Sequence, residues 1–270
     1  ANTGEVSAIL KIANAHKTPV VPVSGRTGLT GATLAQDALM LSVERLNQIT
    51  DINPEARTAT VGAGVILSNL HDAVAAHDLV FPLTLGARGS AMIGGLLSTN
   101  AGGSNVVRYG STRGLCLGLE VVMADGRIMN LMSALHKDNS GLDLRNLVIG
   151  AEGTLGIITA AALKLVPRPV GVGAAMMAVK SPGAALELLA LAGERIGEGV
   201  SAFEIMHRQG FDFLAEVGPE VTSQFNEPPE WTVLVDVGLP AGLSPEDALE
   251  GLFEAGFDAG LVTDGAIAQS

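Results

Sequence analysis

Ser24-Gly25-Arg26-Thr27-Gly28-Leu29-Thr30-Gly31 follows the apolar run Val20–Val23 and carries glycine at every third position. Without Cβ atoms, such a backbone can turn its N–H groups inward as an anion nest and let phosphate oxygens approach. The loop lacks the Gly-Lys-Ser/Thr ending of a P-loop. The nearest approach to a dinucleotide fingerprint is Gly62-Ala63-Gly64, after an expected strand at Thr58–Val61. Its third small residue would fall at Leu67, whose side chain blocks close helix–strand packing, so a nicotinamide-type Rossmann reading is set aside. Taken alone, the loop reads equally well as a ligand-free surface turn.

A second stretch shifts that balance. Ile93-Gly94-Gly95-Leu96-Leu97-Ser98-Thr99-Asn100-Ala101-Gly102-Gly103 brackets a short helical segment with two glycine pairs. Pro82, Leu85, Gly86, Gly89 and Ser90 precede it, and Tyr109-Gly110 follow it. Two glycine-rich segments with Ser, Thr and Asn side chains suit a long ligand with a central pyrophosphate. A third element, Gly150-Ala151-Glu152-Gly153-Thr154-Leu155-Gly156-Ile157-Ile158, is a glycine-kinked entry to a strand whose backbone can approach a flat ring. Glu152 by itself reads as a turn carboxylate.

Outward from these loops the pattern alternates. Thr3 is a candidate cap for a helix with Val6, Ile9, Leu10 and Ala13 on one face. Strands are expected at Val20–Val23, Ala38–Ser42 and Thr58–Val61, and a helix at Leu67–His77. Asp125-Gly126 suits the tight turn of a hairpin between Leu119–Met123 and Ile128–Leu131. A helix over Leu142–Ile149 and a strand over Leu155–Leu165 come next. Pro167-Arg168-Pro169 is the strongest boundary in the chain, since proline removes donors and restricts its predecessor. It divides residues 1–169 from a smaller α+β domain, 170–270. There, strands are expected at Ala174–Val179, Ser201–Met206, Trp231–Val237 and Leu261–Ala268, with helices opened by Pro182 and Pro245. A chain that opens on a helix and stops after a strand reads as part of a longer polypeptide.

Composition narrows the function. The 270 residues are 47% apolar but only 3% aromatic, with 34 glycines. The net charge of −12, from 28 acidic and 16 basic residues, opposes a nucleic-acid partner, whose phosphates need Lys and Arg. It equally opposes a polybasic membrane patch. Apolar runs such as Val170–Val179 fall short of the roughly 20 residues that span a bilayer. Cys116 is the only cysteine, so no intrachain disulfide forms, and its apolar setting reads as an inert core thiol. A soluble, cytoplasmic protein is expected, or one of the mitochondrial matrix if the source is eukaryotic.

Together the loops resemble the FAD-binding domain of the vanillyl-alcohol oxidase / p-cresol methylhydroxylase superfamily. Pro22–Leu29, Ile93–Gly103, Tyr109-Gly110, the hairpin Gly118–Gly126 and Glu152–Thr159 carry the likeness. Pro82–Ser90, Lys137-Asp138-Asn139-Ser140-Gly141 with Asp143-Leu144, Ser201–Glu204 and Leu261–Gly265 narrow it to the branch of D-2-hydroxyglutarate, D-lactate and glycolate dehydrogenases. The resemblance implies an α+β fold: a PCMH-type FAD-binding domain of two α/β subdomains, then part of a cap domain. It implies FAD-dependent oxidation of a D-2-hydroxy acid, D-2-hydroxyglutarate first, to the 2-oxo acid. By motif, Pro22, Ser24, Gly25, Arg26, Thr27, Gly28 and Leu29 line the pyrophosphate. Pro82, Leu85, Gly86, Gly89, Ser90, Ile93, Gly94, Gly95, Thr99, Asn100, Ala101, Gly102, Tyr109 and Gly110 continue along the cofactor. Glu152, Gly153, Ile157 and Ile158 lie near its ring or ribityl end. Leu96 and Ala151 depart from the Asn and Ser usual in relatives, and Arg26 stands in a loop where relatives with covalent flavin often carry histidine, so non-covalent FAD is expected.

The chemistry itself is not in view. Hydroxy-acid oxidation needs a base and cations for carboxylates. His16, His71 and His77 sit in or beside helices, His136 in a loop, and His207 after a strand; no pair has metal-ligand spacing. The resemblance places the substrate arginine, the metal-binding histidines and the base in a C-terminal stretch outside this chain, so no catalytic residue is named and any divalent metal belongs there too. The implied partners are a small 2-hydroxy acid and an electron acceptor such as an electron-transfer flavoprotein, a cytochrome or a quinone; a homodimer is compatible. Alternatives are D-lactate or glycolate oxidation, a non-catalytic FAD-binding module, and an alkyl-glycerone-phosphate synthase type.

Overall fold

The computed structural model describes residues 2–218, 220 and 224–268. Two compact units emerge: Ala1–Gly103 with Tyr109–Arg168, and Ser104–Arg108 with Pro169–Ser270.

The first unit opens with α1 (Thr3–Ala15). Its cap is Asn2, not Thr3: the Asn2 side chain accepts from Glu5 N and the Glu5 carboxylate accepts from Asn2 N, a reciprocal capping box. The Thr3 hydroxyl donates instead to Glu120 Oε1 at 2.5 Å. Val6, Ser7, Leu10 and Ala13 form the buried face, whereas Ile9 is 39% exposed. Ser7 takes the place expected of Ile9 because its hydroxyl reaches the carbonyl of Gly126 in the hairpin turn at 2.6 Å.

β1 (Val20–Val23) and β2 (Leu39–Ser42) pair in parallel on either side of the first glycine loop. β3 (Ile49–Asn53), β4 (Thr58–Gly62), β6 (Cys116–Val122), β7 (Ile128–Leu131) and β8 (Ile157–Lys164) form an antiparallel sheet in the order β3-β4-β8-β6-β7. Between them in sequence lie α2 (Leu67–Ala75), β5 (Leu79–Val80), α3 (Ile93–Ser98) and α4 (Val106–Tyr109). α5 (Arg145–Val148) precedes β8, and β9 (Val166–Pro167) pairs with β5. β6 and β8 are buried along nearly their whole length, as expected of strands covered on both faces. Leu67, Leu70, Phe81, Leu83, Ile93, Leu97, Leu119 and Leu163 fill the core. Cys116 lies in it, and burial pushes its thiol pKa up to about 12.

The helix expected over Leu142–Ile149 shrinks to the single turn of α5. Leu142 is 92% exposed, so no apolar face anchors the preceding residues. Asp143 is engaged instead with Arg145, accepting from its backbone N and its guanidinium.

The second unit is one antiparallel sheet in the order β11-β12-β10-β13, formed by β10 (Gly171–Val179), β11 (Val200–His207), β12 (Trp231–Leu239) and β13 (Val262–Ile267). Ala175, Met177 and Val179 share a buried cluster with Val233, Val235 and Val237 and with Leu188, Leu249 and Leu252 of α6 (Pro182–Ile196) and α8 (Pro245–Asp258). Both helices start alike: Ser181 accepts from Ala184 N and Ser244 from Asp247 N, with proline next in line. Serine satisfies an orphan amide, and proline gives up one that had no partner. α7 (Arg208–Val217) has no buried residue. Arg108 belongs here, donating to Gly238 O at 2.6 Å and Ser201 Oγ at 3.1 Å.

Candidate functional site

A cavity of about 480 Å³ opens in the first unit, walled by the loop after β1, by α3 and by the turn before β8. Of the residues expected to hold a cofactor, it brings together Pro22, Ser24, Gly25, Arg26, Thr27, Gly28, Leu29, Leu85, Gly94, Gly95, Thr99, Ala101, Glu152, Gly153, Ile157 and Ile158. Pro82, Gly86, Gly89, Ser90, Ile93, Asn100, Gly102, Tyr109 and Gly110 lie outside its walls. Val43, Ala87, Ala91, Met92 and Ser98 also line it; their apolar or small side chains carry no chemistry that sequence alone would flag.

Backbone sets the shape. A Cβ on Gly25 would stand 2.2 Å from the Ser90 carbonyl, so Ser90 acts as the floor under the first loop. Gly94 N donates to Ala63 O at 2.7 Å, docking α3 against the end of β4. The Gly62-Ala63-Gly64 segment thus serves packing. Arg26, Asn100 and Glu152 hold positive φ of 54°, 48° and 51°. That region is costly for residues other than glycine and persists only where the surroundings impose it, most often at functional sites.

The polar inventory fits a ligand with phosphates and hydroxyls. Ser24 Oγ is buried at the cavity wall and has no hydrogen-bond partner among the described residues, a costly state unless something else satisfies it. A Cβ on Gly95 would fall 2.9 Å from that oxygen, so the glycine keeps the space in front of it open. Among the described residues Arg26 and Glu152 are the only charged ones in the wall. The Ser98 and Thr99 hydroxyls donate back to Gly94 O and Gly95 O, which leaves them as acceptors.

Asn100 is accounted for otherwise. Its Oδ1 accepts from Ser111 Oγ and from Arg113 N, both at 2.9 Å, so it braces the second loop from behind. Three of the five histidines have side-chain partners: His71 Nε2 meets Phe81 O at 3.1 Å, His136 Nε2 meets Ala56 O at 2.9 Å, and His207 Nδ1 accepts from Gln209 N at the start of α7. Burial lowers the pKa of His71. Lys137, Asp138 and Asn139 line a separate polar cleft of about 350 Å³ with Arg113 and Arg145. Among the described residues no group of three or more His, Cys, Asp or Glu side chains is placed to hold a metal ion, and no helix is long and apolar enough to cross a membrane.

The loop-walled, hydroxyl-lined cavity is built from residues 22–158, and residues 1–132 match the model of the FAD binding domain family. Of solved structures, p-cresol methylhydroxylase superposes with a TM-score of 0.76 at 17% identity, covering 98% of this chain and 56% of that one. An alkyldihydroxyacetonephosphate synthase gives 0.75 at 16%, covering 98% and 52%. These likenesses establish the fold. The mitochondrial D-2-hydroxyglutarate dehydrogenase of Danio rerio is 39% identical over 267 residues, 98% of this chain and 50% of the relative. The D-2-hydroxyglutarate dehydrogenase of Xanthomonas citri pv. viticola is 38% identical over 267 residues, 98% and 56% respectively. The chain spans about half the length of these relatives. The resemblance drawn from the glycine loops agrees with these findings: residues 1–132 match the FAD binding domain family, and the fold is shared with p-cresol methylhydroxylase.

Proposed function

We propose that this chain supplies the FAD site of a dehydrogenase that oxidises a D-2-hydroxy acid, D-2-hydroxyglutarate first, to the 2-oxo acid. The observation that carries the reading is the buried, unpartnered Ser24 Oγ in a cavity where the two glycine loops and the Glu152 turn converge. Alignment of 98% of this chain with about half of each D-2-hydroxyglutarate dehydrogenase supports the substrate class.

FAD, when bound, supplies the acceptor for the hydride leaving the substrate carbon. The chain's residues hold it without a covalent link. Ser24, Gly25, Thr27 and Gly28 would offer hydroxyls and backbone amides to the pyrophosphate, and Arg26 of the same loop a positive charge. Gly94, Gly95, Thr99 and Ala101 continue the wall, and Glu152, Gly153 and Ile158 face the ring or ribityl end. Residues 1–169 form the FAD-binding domain and 170–270 part of the substrate-side cap. Base and substrate cations come from outside the chain, electrons pass to an external acceptor such as an electron-transfer flavoprotein, a cytochrome or a quinone, and the setting is cytoplasm or mitochondrial matrix.

The test is the flavin band of the full polypeptide containing this chain, titrated anaerobically with D-2-hydroxyglutarate, D-lactate, glycolate and D-malate. Bleaching by D-2-hydroxyglutarate at the lowest concentration is expected. Bound FAD that none of the four reduces rejects the substrate class, and protein without a flavin band rejects the site.

A further inference from the structure

Arg113 lies outside the cavity, yet its guanidinium touches the segment that delivers Glu152 to the wall. Nη1 donates to Asn146 O at 2.5 Å and Nη2 to Ile149 O at 2.6 Å, spanning the end of α5. Its backbone N donates to Asn100 Oδ1, which also accepts from Ser111 Oγ. Gly150 closes the arrangement at φ +84°, where a Cβ would lie 3.1 Å from Arg113 Nη2 and 3.4 Å from Asn100 Cβ. From there Gly150 N donates to Leu97 O at 3.0 Å and Glu152 N to Ser98 O at 2.9 Å, the last carbonyls of α3. Gly153 then packs against Pro22, at the root of the first glycine loop.

From this geometry we infer that Arg113 is a positioning residue of the FAD site, acting through the Gly150–Gly153 turn; the inference rests on the function proposed above. Glu152 holds positive φ beside Gly150 and Gly153, which adopt it freely, and a residue other than glycine stays there only when its neighbours over-determine it. The guanidinium fork does so by satisfying two carbonyls at the end of α5 at once, while its own amide fixes Asn100 in the adjacent loop. One rigid fork thereby locks two walls of the cavity in register. Lysine keeps the charge and loses the fork, a point donor on a flexible stem that meets one carbonyl at a time.

The test is FAD affinity of the full polypeptide, by flavin fluorescence, for wild type, Arg113→Lys, Glu152→Gln and the double variant, beside melting temperatures without FAD. Arg113→Lys is expected to weaken FAD about tenfold, the scale of one lost charged hydrogen bond. The loss caused by Glu152→Gln is expected to shrink in the Arg113→Lys background, because the turn is already displaced. Additive losses would mark Arg113 as merely structural and overturn the inference, as would an unchanged FAD affinity in Arg113→Lys. Should Arg113→Lys not fold, Arg113→Gln, which keeps one donor toward the α5 carbonyls and loses the fork, is read in its place against the same two outcomes. Wild-type protein that binds no FAD would instead sink the function beneath the inference.

Discussion

The two units solve different problems with the same amino acids. In the second, four antiparallel strands share one sheet, two helices begin on serine and proline, and the core is a valine and leucine layer. In the first, seven residues other than glycine hold positive φ, and among the described residues the second unit has none. The cavity lies entirely within the first unit. Regular elements bury area; the irregular loops store strain and present backbone to a ligand. Stability and binding should therefore respond to mutation separately.

The largest expected effect is on the regular side. Leu188→Ala, at a fully buried position of α6, should cost about 2–5 kcal/mol and lower the unfolding midpoint in urea. FAD affinity of the folded protein should stay within about twofold, since no wall residue changes. A comparable loss of FAD from the folded fraction would break the contrast. Gly25→Ala should do the converse. Its new methyl meets the Ser90 carbonyl, backbone that yields only by moving the loop, at about 1–3 kcal/mol. The flavin band should drop sharply, while far-ultraviolet circular dichroism changes little.

Two smaller effects sharpen the comparison. Arg26→Gln should weaken FAD about twofold to fivefold at low salt, with the gap closing as ionic strength rises and screens the charge. In the second unit, burial first and the neighbouring Glu204 second raise the pKa of Asp236. The folded state therefore binds its proton more tightly than the unfolded one, and stability falls as pH rises from the ordinary carboxylate range through the raised folded value. Asp236→Asn should flatten that decline and raise the melting temperature at neutral pH, with wild type and variant converging in acid. Equal slopes in both would show that Asp236 ionises without penalty.

Legibility followed the same division. The helices opened by Pro182 and Pro245, and the hairpin at Asp125-Gly126, are written in local chemistry, because cap and turn residues act over two to four positions. β3 escaped notice because Ile49-Thr50-Asp51-Ile52-Asn53 is a half-exposed edge strand without an apolar run. α7 escaped because it buries nothing. At the site, glycine spacing pointed to the converging loops, since a close backbone approach needs glycine whatever the ligand. Arg113 left no such trace. Its partners are main-chain carbonyls 33 and 36 residues away, and a carbonyl is the same in every residue. Asn100 looked like a cofactor ligand for the related reason that an amide beside a glycine pair serves a ligand or a neighbouring loop equally well.

The proposed position of FAD is against the first glycine loop, the α3 segment and the Glu152 turn. Amide hydrogen exchange of the full polypeptide with and without FAD tests it directly. Slowed exchange is predicted across Ser24–Gly31, Gly95–Ala101 and Gly150–Gly153. Saturating FAD that leaves Ser24–Gly31 exchanging at the unliganded rate would contradict the account.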